Sequence, residues 1–112
     1  MAADENDGML FVYCTNMIKL IENAEFCIIS ETRSEENIVN MVEGCSQKSK
    51  TYGHILMSLA RSLLARPNRP AYIVKTMLDL MSLCLKALFE DNNNVNFLQN
   101  FISYFLPAYR VD

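Results

Sequence analysis

The chain predicts an all-α domain, either a five-helix bundle or a short stack of helices, on three observations. The run from Ala71 to Phe89 has only five polar residues among nineteen, and four of them, Lys75, Asp79, Ser82 and Lys86, recur at steps of 4, 3 and 4. At 3.6 residues per turn that spacing draws one thin polar stripe, so the rest of the circumference must be packed. Apolar residues recur at helical spacing in the other long segments as well, and no good strand remains. Hydrophobic residues make up 51% of the 112, enough for one domain with a core of its own.

Residues 1–7 are acidic and small and read as a flexible tail, leaving 8–112 as a single helical domain. The first helix is expected from Gly8, with Met9, Phe11, Val12, Cys14, Met17, Ile18, Leu20 and Ile21 among polar Thr15, Lys19 and Glu22. Phe26-Cys27-Ile28-Ile29 has the composition of a short strand but is read as a continuation of that helix to about Ser30. Thr32 and Glu35 form the T-x-x-E pattern in which each side chain satisfies a free backbone N–H at a helix start. A short second helix then carries Ile38, Val39, Met41 and Val42 inward, with Gly44 as its stop.

A polar linker, 46–50, leads to a third helix with Tyr52, Ile55, Leu56, Leu59, Leu63 and Leu64 on one face and His54, Ser58, Arg61 and Ser62 on the other. Pro67 and Pro70 end it, because proline lacks the N–H a helix interior needs. The fourth helix is the 71–89 run, closed by the turn-forming Glu90-Asp91-Asn92-Asn93-Asn94. The fifth is expected from about Val95 to Leu106, with Leu98, Phe101, Ile102 and Phe105 inward and Pro107 as its stop.

A shift of 60 residues places Met17, Ile18, Leu20, Ile21, Ala24, Ile28 and Ile29 on Met77, Leu78, Leu80, Met81, Cys84, Leu88 and Phe89. Each copy would be a long helix followed by a short one, although any two amphipathic helices align on apolar positions. The alignment fails at Phe26, which falls on solvent-facing Lys86; with the repeat set aside there, Phe26 is read as a surface contact. Residues 51–106, a helix, a proline bend, a long helix, an Asn-rich turn and a closing helix, resemble one unit of the armadillo and HEAT class of α-solenoids. That resemblance implies a binding scaffold rather than an enzyme. Solenoids need about three units or more, and this chain has room for about two, so bundle and armadillo-like stack both stand.

Charge is segregated beneath a net charge of −3. Residues 1–43 carry nine acids and two bases; residues 44–78 carry six bases, Lys48, Lys50, Arg61, Arg66, Arg69 and Lys75, and no acid. The basic segment either solvates the surface and faces the acidic third, or docks an acidic peptide or nucleic acid. Arg66-Pro67-Asn68-Arg69-Pro70 is the leading docking candidate, as a rigid loop with two guanidinium forks.

No catalytic, cofactor-binding or metal-binding residues are expected. His54 and Ser58 share a face without an evident orienting group, the three glycines are scattered, and the cysteines Cys14, Cys27, Cys45 and Cys84 lie in apolar runs with no C-x-x-C pair. The acidic start lacks the basic and apolar parts of a secretory signal, and the charges in 71–89 argue against a membrane span, which places the chain in cytoplasm or nucleus. The expected function is therefore protein–protein interaction: an adaptor or scaffold domain that binds a peptide or helix in apolar grooves bordered by Arg61, Arg66, Arg69 and Lys75. Phe97, Tyr104 and Tyr109, left over from the inner face of the last helix, would form a second apolar surface for a partner or for a homodimer. A nucleic-acid-associated module using residues 48–75 is the alternative.

Overall fold

The computed structural model describes residues 5–23 and 41–109. Among them the chain is all-helical: α1 (Glu5–Glu22), α2 (Lys50–Ala65), α3 (Ala71–Phe89) and α4 (Val95–Ala108), with single 3-10 turns at Gln47–Ser49 and Asn92–Asn94. Met41 and Val42 are also helical. The expected extension of the first helix through 24–30, the capping pattern at Thr32 and the partner residue Phe26 lie outside the described residues.

α3 is the centre of the fold and touches α1, α2 and α4. Its stripe of Lys75, Asp79, Ser82 and Lys86 faces away from the core, while Ile73, Met77, Leu80, Met81, Cys84 and Leu88 are buried. α2 contributes Ile55, Leu56, Leu59, Ala60 and Leu63 to the same core, as its spacing requires. Gly53 lets α2 approach the turn after Val42: a Cβ there would stand 2.9 Å from the Cys45 Sγ. Pro70 precedes α3, and its carbonyl accepts from the N–H groups of Ile73 and Val74.

α4 lies about 40° in rotation from its expected setting, less than half the angular step between neighbouring residues. Phe97 rather than Ile102 completes its inner face: Phe97 is buried, whereas Ile102 is exposed. The helix also continues through Pro107, so the proline, which removes one backbone donor and crowds the carbonyl a turn back, ends it at Ala108 rather than at about Leu106. Along it Phe97, Phe101, Phe105 and Tyr109 stack at i, i+4 intervals, with ring centroids 6.5, 5.4 and 5.1 Å apart.

The acidic start departs from the expected tail. α1 already begins at Glu5, and Asp7 in its first turn is 1% exposed. No helix among the described residues is long and apolar enough to cross a membrane.

Candidate functional site

The loop between α2 and α3 is built around Asp7. The Arg66 guanidinium grips this carboxylate with two parallel contacts of 2.9 Å, and the Arg69 Nε donates to the same carboxylate at 3.0 Å. A helix ends with carbonyls that have no partner of their own. Arg69 serves that end here, donating from Nη1 to the Arg66 carbonyl and to the Ser62 carbonyl, which the Arg66 N–H also reaches at 3.2 Å, and from Nη2 to the Ser62 hydroxyl. The Arg69 side chain is 9% exposed and the Arg66 side chain 37%. The leading docking candidate is thus an internal clamp: its two forks hold α1 to the end of α2, and their charge is met by the acid from the N-terminal segment. Arg66 and Arg69 thus face the acidic third of the chain, whereas Lys75 pairs with Asp79 on its own helix.

The clamp fixes where α2 stops and α3 starts, and beside it the helices leave a half-open groove of about 780 Å³. Leu64 of α2, Pro67 of the loop, Val74 and Leu78 of α3 and Tyr109 beyond α4 line it. Tyr109 is the last ring of the aromatic stack, supported from behind by Phe105. Lys75 and Asp79 stand on the rim, both well exposed and paired at 2.9 Å across one turn of α3. Arg69 closes one end of the groove with its charge already directed at Asp7.

Of the expected partner-binding residues, the structure brings Arg69, Lys75 and Tyr109 to this groove. Arg66 sits in the clamp, and Arg61 is half-buried on α2. Phe97 is in the core and cannot contribute to an outer surface. Tyr104 is exposed, but five residues separate it from Tyr109, about 140° around the helix, so the two tyrosines do not share a face. The aliphatic lining from Leu64, Val74 and Leu78 was not singled out by the sequence; its signal was present in the half-apolar shoulders of two strongly periodic helices.

Burial, with the Lys50 charge one turn earlier, lowers the His54 pKa from 6.5, so the imidazole is neutral at pH 7. Burial pushes the thiols of Cys14 and Cys45 up to about 11 and that of Cys84 to about 12, where they are unreactive. No group of three or more metal-ligating side chains is gathered among the described residues.

Comparison with protein-family models, with curated proteins and with solved structures found no match.

Proposed function

We propose that this chain is a protein-interaction module that binds an amphipathic peptide or helix of a partner protein in the groove between α2, α3 and Tyr109. The observation that carries this reading is the groove itself: aliphatic side chains and an aromatic floor are left open to solvent beside an exposed ammonium. Binding sites of this kind take apolar anchors at i, i+3 or i+4 spacing and read charge at the rim. The fitting partner presents two or three such anchors and an acidic residue placed to meet Lys75.

An adaptor or scaffold role in cytoplasm or nucleus belongs to the same proposal. The thiols of Cys14, Cys45 and Cys84 are free and buried, in keeping with a reducing compartment. A helix ending at Met41 and Val42 would bring the count to five, and the armadillo-type likeness of residues 51–106 is part of the same proposal. The nucleic-acid alternative draws less support, because phosphate binding needs uncommitted cations and Arg66 and Arg69 are committed to Asp7.

Peptide display against the full chain tests the reading. Enriched peptides should combine apolar anchors with an acidic flank and should lose binding to Leu78→Glu and Tyr109→Ala. Peptides that bind both variants as well as the parent would overturn the groove as the site. Salt-sensitive retention on RNA or DNA, lost in Lys48→Glu/Lys50→Glu, would favour the alternative; that pair leaves the Asp7 clamp intact.

A further inference from the structure

We infer that the outward face of α4 pairs two copies of this chain, antiparallel, about a two-fold axis near residues 100 and 101. From Asn92 to Tyr109 the sequence has no charged residue, although 23 of the 112 residues are Asp, Glu, Lys or Arg. Within this stretch the fold buries Phe97, Leu98, Phe101 and Phe105. Val95, Ile102 and Leu106 remain outside, exposed by 49%, 43% and 62%. Together with exposed Gln99 they fall within an arc of about 60° on the helix, so they form one stripe.

Two features of that stripe select a second copy as its occupant. A two-fold contact sets like against like, so charges of one sign would repel, and a chain with net charge −3 associates with itself at least cost through a face that has no charge. The spacing is also its own reverse. Val95, Gln99, Ile102 and Leu106 are separated by 4, 3 and 4 residues, so an antiparallel copy sets Val95 opposite Leu106 and Gln99 opposite Ile102 at both ends of the contact. The 3-and-4 alternation is that of helices packing side chains into each other's gaps. Gln99 carries both a donor and an acceptor, so its amide can pair across the axis with its own copy at the margin of the apolar strip.

This surface differs from the one expected around Phe97, Tyr104 and Tyr109: Phe97 is buried, and Val95, Ile102 and Leu106 form the exposed apolar stripe. Sedimentation equilibrium of the full chain over a micromolar series should give a dimer that persists in high salt. Val95→Lys and Leu106→Glu replace exposed side chains, and each should weaken the dimer about 100-fold by placing two charges in an apolar contact. Circular dichroism should show both variants folded. Mixed in equal amounts they should form a heterodimer, because the pairing then sets the introduced lysine of one chain against the introduced glutamate of the other. A parent chain that stays monomeric at high micromolar concentration would overturn the inference. So would a dimer that survives both variants, or a mixture that stays monomeric, since the antiparallel register requires rescue.

Discussion

At the N-terminal end of α3 a buried carboxylate gathers two guanidinium groups; at its C-terminal end a buried amide gathers two serines. The first junction is the Asp7 clamp. In the second, Asn94 is completely buried, accepts from the Ser46 N–H at 2.9 Å, and donates to the Ser49 hydroxyl and the Leu88 carbonyl, each at 3.0 Å. The Ser46 hydroxyl donates to Asp91 at 2.6 Å, so the proton between the two serines, whose oxygens lie 3.0 Å apart, comes from Ser49. Asp91 also accepts from the Asn93 N–H and caps the 3-10 turn that leads into α4. Both junctions tie distant parts of the chain to one end of the central helix. The charged one depends on neutralising charge out of water, the neutral one on leaving no donor or acceptor unmatched. Loss of a single partner should therefore cost more at the first than at the second.

The largest effect is expected from Asp7→Ala. It leaves Arg69 buried with its charge uncompensated and should lower the free energy of unfolding in urea by about 3 kcal/mol. Replacing all three members, Asp7→Leu/Arg66→Met/Arg69→Met, should recover much of that loss, because no buried charge remains; the residual cost is the helix-end carbonyls that Arg69 served. A triple variant as unstable as Asp7→Ala would break the distinction between the two ends. Asn94→Ala strands the Ser46 N–H and takes the amide donor from the Ser49 hydroxyl, and should cost about 2 kcal/mol, unchanged by salt.

Gly53→Ala should cost about 1 kcal/mol, the crowding at Cys45 exceeding the gain in helix propensity. Gly53→Ala/Cys45→Ala should recover part of that loss, because the sulfur is gone. The smallest mutational effect belongs to the exposed Lys75–Asp79 pair, where Lys75→Ala should change stability by less than about 0.5 kcal/mol.

Acid should act on the molecule in two windows. The folded His54 has a pKa below 6.5, so as pH falls through 6.5 the unfolded chain takes up a proton that the folded chain does not, and stability declines. A His54→Gln variant should flatten the pH dependence of the melting temperature in that window. Asp91 is held below the ordinary 3.8, chiefly by the Ser46 hydroxyl, and its contribution is present above that value and lost as pH falls beneath it. Asp91's share of the second window should survive Asp7→Ala and be lost in Asp91→Asn.

The two ends also differ in how much of them the sequence disclosed. The bounds of α3, its outward stripe and its buried face follow from local periodicity, and so does the capping role of the Asp91–Asn94 turn. What periodicity does not carry is pairing across the chain. Asp7 stands 59 residues before Arg66, and nothing local distinguishes it from Asp4 or Glu5 as the acid to be buried. The inner face of α4 failed for a different reason: Phe97 and Ile102 occupy opposite shoulders of one apolar arc, and only contact with α2 and α3 selects between them. The groove was legible as a combination of apolar and basic residues, but the exposed cation on its rim is Lys75 beside its acid, because Arg66 and Arg69 turn their charge to Asp7.

The buried thiols turn the core into a set of clocks. Cys14 lies on α1 near Cys84 of α3, and Cys45 lies beneath Gly53 of α2. A thiol that is fully protonated and shielded reacts with an alkylating reagent only when its surroundings open, so each labelling rate measures how often one seam of the fold parts. Peptide mass spectrometry after quenched labelling, which reads each cysteine in its own peptide, would time the seam between α1 and α3 separately from the one at the α2 glycine. A ligand seated at Tyr109 or a second copy on α4 would then be visible by which of those clocks it slows.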